Sequence, residues 1–360
     1  MFRKLHNITA WLCGISALLS TACSSTDEPS QTRPDKIAVT IMARSPRAGE
    51  SGSTLHDDLE IHEGIVLIYD KNGNYEAGEK IDPAKKTLST HIAPGEKRIV
   101  AVINPTAEFR AMFAKDCFEQ VVDEFGNPVT YKGEPVWRNI KPVHDTYTGL
   151  AASLELGADC LKAIQTNRKM LLLYNGIVDV QPDAEDSETA YVELQLGAPI
   201  ARVDLHARCI AEEKERVEDA AIRVSKVSPS LSWDFNRSVE NTTDLVAKFT
   251  GISEKMTAVS EDELFGDWIM EHVKEDAPLA TLYTYHTDTN ARLEVGLRFK
   301  GSADYDWFPL DMSELMKPET YKGLEAGHLY QIFITVYPDK VGHIIVKPWI
   351  VPQSLNFTIG

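Results

Sequence analysis

The sequence predicts a mainly β protein built from two β-sandwich domains with a few short helices. Three observations carry that expectation. Apolar residues alternate with polar ones over many short runs, from "IAVTIMAR" (37–44) to "GHIIVKPW" (342–349), which is the two-residue period of a strand with one buried face. Turn-forming pairs such as Asn72-Gly73, Pro94-Gly95 and Asn104-Pro105 separate those runs. The 360 residues exceed one small domain, and 43% hydrophobic content is enough for two cores.

In chain order, Ile37, Val39, Ile41 and Ala43 define the inner face of a first strand. Directly behind it, "RSPRAGESG" (44–52) presents Arg44 and Arg47 in a loop rich in serine, glycine and proline. "IHEGIVLIYDKNGNYEAG" (61–78) is a strand closed by Asn72-Gly73, a dipeptide suited to a type I′ hairpin turn. Its "DKNGN" departs from a calcium loop, because Tyr75 stands in place of the glycine and Ile81 in place of the terminal glutamate. A strand over Arg98–Ile103 precedes a short helix with Phe109, Met112 and Phe113 on one face. The turn-rich stretch 119–150, with Pro128, Pro135 and Pro142, reads as long loops. "KMLLLYNGIVDV" (169–180) and "AYVELQLGAPIARVDLHARC" (190–209) are strands, and the second breaks at Gly197-Ala198-Pro199, the expected domain boundary. Beyond it come the strand "AAIRVSKVS" (220–228) and a loop through Trp233. A helix over 261–275 follows, carrying Leu264, Phe265, Trp268 and Ile269, and three alternating strands complete the pattern.

Composition excludes several functions. A formal charge of −17 and a pI near 5.1 argue against nucleic acid as a partner, since no basic stripe exists to neutralise phosphates. Cysteines stand at 13, 23, 117, 160 and 209. Cys117, Cys160 and Cys209, odd in number and without CxxC spacing, fit neither a zinc site nor a disulfide framework; they are expected to be small buried hydrophobes, with a single unassigned disulfide as the alternative. No G-x-S-x-G, H-E-x-x-H or P-loop is present. The histidines are scattered, with His56 and His62 the closest clear pair, and "PDAEDSE" (182–188) reads as a solvated hairpin tip rather than a cation site. Trp137, Trp233, Trp268, Trp307 and Trp349 are assigned to the two cores, with stacking on sugar rings as the alternative. The expectation is a protein that is not an enzyme and uses no cofactor or metal.

At the N-terminus, Arg3 and Lys4 precede an apolar run, Ile8–Leu19, too short to span a bilayer. Ser20, Thr21 and Ala22 then lead into Cys23. This layout resembles a bacterial lipoprotein signal, in which the cysteine becomes the acylated, palmitate-bearing first residue; the large apolar residue, Leu19, lies one place earlier than usual. An ordinary secretory signal with an incidental cysteine is the alternative. Residues 24–33 read as a polar tether.

Beyond Trp349, Pro352 interrupts the last strand, yet Leu355, Phe357 and Ile359 resume the two-residue period with Asn356 and Thr358 between them. That spacing repeats the period of Ile37, Val39 and Ile41. Two readings fit: an edge strand folded back onto its own sheet, or a donor strand that fills a neighbour's groove once the neighbour's first strand has left.

The ordered set of "IMARSPRAG", "LIYDKNGN", "GEKRIVAVINPT", "IARVDLHARC" and "VKPWIVP" resembles the fimbrillins of Bacteroidales, the type V pilus subunits that include the major and minor fimbrial subunits of Porphyromonas. The resemblance spans nearly the whole chain. It implies two transthyretin-like Greek-key β-sandwiches, cleavage by an arginine-specific protease after the first strand, and polymerisation by donor-strand exchange. By position, the cut falls between Arg47 and Ala48, with Arg44 as the competing site. The implied organisation is a signal peptide (1–23), a propeptide carrying the exchangeable strand (24–47), an N-terminal sandwich (48–197) and a C-terminal sandwich with the donor strand (198–360). The implied partners are other copies of the chain or related fimbrial subunits, the protease during maturation, and the outer membrane through the precursor's lipid. The expected location is a surface fimbrium, in a shaft or accessory position. A tip or anchor subunit, or a glycan-binding outer-membrane lipoprotein, is the alternative.

Overall fold

Strands form where β-branched and aromatic residues fit a pleated, half-buried surface, and most of the chain follows that rule. A computed structural model describes residues 36–44, 59–123, 125–131, 133–232, 242–264, 278–287, 290–310 and 323–337, and the backbone of 341–350. The first half opens with β1 (Ile37–Arg44), β2 (Gly64–Asp70), β3 (Tyr75–Lys80), β4 (Thr87–Ile92) and β5 (Gly95–Ile103). Then come α1 (Ala107–Phe113), β6 (Ala114–Gln120), β7 (Thr130–Tyr131), β8 (Glu134–Pro135) and β9 (Trp137–Pro142). The half closes with α2 (Tyr147–Ser153), β10 (Glu155–Leu156), α3 (Ala158–Asn167), β11 (Leu172–Val180) and β12 (Thr189–Gln195).

Seven of these strands make a β-sandwich from two sheets, ordered β12-β1-β4 and β11-β5-β2-β3. The chain changes sheet at β1–β2, β3–β4, β4–β5 and β11–β12, while β2 and β3 form a hairpin within one wall. Ile37, Val39 and Ile41 from one wall and Ile65, Leu67, Val100 and Val102 from the other join one buried cluster.

The second half begins with β13 (Ala201–Ile210), β14 (Val217–Val227), β15 (Leu231–Ser232), β16 (Thr243–Thr250) and β17 (Thr257–Val259). It continues with α4 (Glu261–Leu264), β18 (Ala280–Thr284), β19 (Leu293–Phe299), β20 (Asp306–Leu310), β21 (His328–Val336) and β22 (Val341–Ile350). One sheet runs β17-β13-β21-β22 with β18 also on β13, and the other runs β16-β14-β19-β20. All described strands of the first pair of sheets precede Leu196, and all of the second pair follow Ile200. The described residues lie in one compact unit. Within it the two sandwiches are tied by the β10–β15 ladder, by Gln165 of α3 on the backbone of β18, and by the Tyr285 hydroxyl, which donates to the Gly157 carbonyl at 2.8 Å.

Several elements differ from the sequence expectation. The stretch 119–150 holds β7, β8, β9 and the start of α2 rather than long loops, because local hairpin pairing and the Thr146 hydroxyl, which accepts from Gly149 N, organise it. Only Gly73 of the β2–β3 turn has a positive φ (82°), so the turn is not type I′. The Asp70 carboxylate fixes it instead, accepting from Asn72 N at 2.8 Å and Asn74 N at 2.9 Å. The acidic segment 182–188 joins β11 to β12 in different sheets, so it is a crossover rather than a hairpin tip. Its carboxylates bind their own backbone, Asp183 accepting from Glu185 N and Asp186 from Glu188 N. Helix α3 and strands β16, β18 and β20 escape sequence reading. Of the helix expected over 261–275, Glu261–Leu264 is helical and the rest lies outside the described residues.

Candidate functional site

Strand β1 is the middle strand of its sheet. It pairs parallel with β12 from Ala38 to Arg44 and antiparallel with β4 from Ile37 to Met42. Alternation puts Ile37, Val39, Ile41 and Ala43 on the inner face, each 1% exposed or less, and Ala38, Thr40 and Met42 on the half-buried outer face. Burial of the three large inner side chains contributes about 1.5–3 kcal/mol apiece, and each ladder hydrogen bond about 0.5–1.5 kcal/mol. Without β1, the sandwich would carry a slot one strand wide, floored by apolar core and lined on both sides by unpaired backbone groups.

Both ends of the slot carry charges. At its entry the Lys97 ammonium, 5% exposed, meets the Glu76 carboxylate at 2.5 Å, while the other Glu76 oxygen accepts from Ala93 N at 2.7 Å. Burial pushes the Lys36 ammonium below its usual range; Glu76 opposes that shift, and Arg138 and Lys97 add to it. His91, the register partner of Ala38, is likewise pushed down by burial and by Lys36. These groups come from β3, β4, β5, β9 and the residue before β1, with no shared motif, so sequence reading missed them. At the exit, Arg44 ends β1 with its guanidinium 2.8 Å from Glu193 of β12. This pair is partly exposed and contributes little to stability.

The remaining expected site residues are distributed as follows. Cys23, Arg47 and Ala48, and the tail residues Leu355, Phe357 and Ile359, lie outside the described residues. Strand β22 runs antiparallel to β21 up to Ile350, opposite His328, and ends the described order of that sheet. Cys160 and Cys209 are buried free thiols, both pushed up to about 11 by burial, and Cys117 is a half-buried free thiol. Among the described residues, no three His, Cys, Asp or Glu side chains converge as metal ligands, and no helix is long and apolar enough to cross a membrane. Trp307 rests on Gly296, whose missing Cβ leaves room for the ring. Trp137 belongs to no core: it sits exposed on β9. Trp233 and Trp268 lie outside the described residues.

No family model and no curated protein sequence matches this chain. Among solved structures it is similar to a candidate cell adhesion protein from Parabacteroides distasonis, at 10% identity and TM-score 0.45, over 89% of this chain and 98% of that one. It is also similar to a candidate cell adhesion protein from Bacteroides eggerthii, at 14% identity and TM-score 0.47, over 88% and 96%. A third similar structure is the tip fimbrial protein Mfa3 from Porphyromonas gingivalis with C-terminal truncation, at 12% identity and TM-score 0.39, over 88% and 99%.

Proposed function

We propose that this protein is a non-enzymatic structural subunit of a surface fimbria. In this reading it is exported as a lipoprotein precursor acylated at Cys23 and cut by an arginine-specific protease between Arg47 and Ala48. Subunits then join by donor-strand exchange, with Leu355, Phe357 and Ile359 of one copy replacing Ile37, Val39 and Ile41 of the next. The observation that carries the reading is the central place of β1 between β12 and β4, directly before the arginine-bearing loop.

The cut matters for a physical reason. While β1 stays tethered, its effective concentration at its own slot is on the order of millimolar or higher, and a strand from another molecule cannot compete. Hydrolysis of the Arg47–Ala48 peptide bond turns β1 into a dissociable peptide and separates the subunit from its lipid anchor. An incoming tail with the same apolar period then closes the exposed core and satisfies both flanking ladders.

The decisive experiment is N-terminal sequencing of the mature protein, combined with the double variant Arg44→Ala, Arg47→Ala. The mature chain is expected to begin at Ala48, and the variant to accumulate as lipidated, unpolymerised precursor. Polymer at the normal level from the double variant would end the processing model.

A further inference from the structure

Phe118 of β6 and Trp137 of β9 stack with ring centroids 4.9 Å apart and planes 13° from parallel. Large aromatic rings are normally drawn inside, yet Phe118 is 78% exposed and Trp137 41%. The fold does not need them there. The β6–β9 ribbon is fastened through its opposite face, where Ile140 is fully buried and the Arg138 guanidinium lies over the Tyr75 ring at 4.9 Å. The Tyr75 hydroxyl also donates to the Ile140 carbonyl. An exposed aromatic face that contributes nothing to the core marks a place of contact.

The surroundings narrow the partner. Gln120 stands opposite Trp137 in the ladder. Asn139, two residues along the same face, donates from its amide to Glu79 Oε2 at 2.8 Å. Of the charges beside the ribbon, Lys141 pairs with Glu119 at 3.7 Å and Lys80 with Asp116 at 3.1 Å. A protein partner would have to cover more than these two rings, since stable protein interfaces bury about 1,200 Å² or more. Strand addition fits poorly. β6 has a register break between Asp116 and Glu119, and Lys115, Asp116 and Glu119 are exposed along it, both of which discourage edge pairing.

A sugar unit in a neutral chain has the complementary character: an apolar C–H face, a rim of hydroxyls, and no charge. We propose that the Phe118–Trp137 face of the β6–β9 ribbon is a binding platform for a neutral polysaccharide. The outer face of the Phe118 ring, backed by Trp137, takes the C–H face of one sugar unit, while Gln120, Asn139 and Glu79 exchange hydrogen bonds with the hydroxyls of that unit and its neighbour. The platform is separate from the β1 slot and does not depend on assembly.

The test is calorimetric titration of the full-length protein with linear gluco-, manno- and xylohexaose, beside an oligogalacturonate of the same length. At least one neutral hexaose is expected to bind. Phe118→Ala and Trp137→Ala should each weaken it about tenfold or more without moving Tm, while Ile177→Ala, an exposed change on β11, should leave it unaltered. The proposal is overturned if none of the three neutral sugars binds, if the Phe118→Ala, Trp137→Ala double variant binds as tightly as the parent, or if the polyanion is preferred.

Discussion

Gln165 reaches from α3 to β18, where its amide nitrogen donates to the Thr281 carbonyl at 2.5 Å and its oxygen accepts from Tyr283 N at 3.0 Å. Among the described residues β18 pairs only with β13, so one side chain covers backbone groups on its other edge that a further strand would otherwise cover. Replacing it should leave a buried donor and acceptor unpaired. Gln165→Ala is therefore expected to destabilise the protein by about 1–3 kcal/mol, read from the midpoint of urea unfolding; an unchanged midpoint would refute the clamp. His91 supplies a second residue-scale expectation. Its folded-state pKa lies below the ordinary 6.5, through burial and then Lys36. Between those two values the unfolded chain binds more protons, so stability falls as pH drops through that window. His91→Gln should flatten the fall in Tm between neutral pH and the acid side of 6.5, and parallel curves for parent and variant would remove the imidazole from the account.

At the scale of the element, β1 is the informative case. Its period-two pattern was legible in "IAVTIMAR", and the structure puts each inner residue of that pattern in the core. What the pattern could not convey is that both flanks are paired, one parallel and one antiparallel. Inner and outer positions should respond differently. In the uncut chain, Ile41→Ala is expected to cost about 2–5 kcal/mol, the usual range for a core cavity, while Thr40→Ala on the outer face should stay within about 1 kcal/mol. Equal effects by thermal unfolding would mean that β1 is not held by its inner face. β13 shows the converse limit. "ARVDLHARC" alternates as if one face met water, yet both faces are buried. Three of its polar residues are partnered internally: Arg202 pairs with Asp204 at 2.9 Å, Asp204 accepts from the Thr281 hydroxyl at 2.7 Å, and Arg208 donates to the Thr335 hydroxyl at 3.0 Å.

For the molecule as a whole, the proposed joint links the slot of one copy to the tail of another, so the two ends of the chain should be separable by mutation. Removing residues 353–360 is expected to leave a monomer with unaltered Tm whose slot still works but which cannot donate. Filaments of normal length from that deletion, seen by electron microscopy after protease treatment, would exclude strand exchange through this tail. The ties between sandwiches, Gln165 on β18 and Tyr285 on Gly157 among them, join parts far apart in sequence. Sequence period says nothing about such long-range pairs, which is why α3 and its partners were not legible there.

Local chemistry determined the β character, the break near Gly197-Ala198-Pro199, the burial of Cys160 and Cys209, and the inner face of β1, because alternation and turn residues act over a few neighbours. Tertiary structure alone decided which strands adjoin, that β1 lies between two others, that both faces of β13 are inside, and that Trp137 stands in solvent rather than in a core. Those outcomes depend on the rest of the chain's arrangement around each element, a non-local quantity that no short stretch of residues encodes.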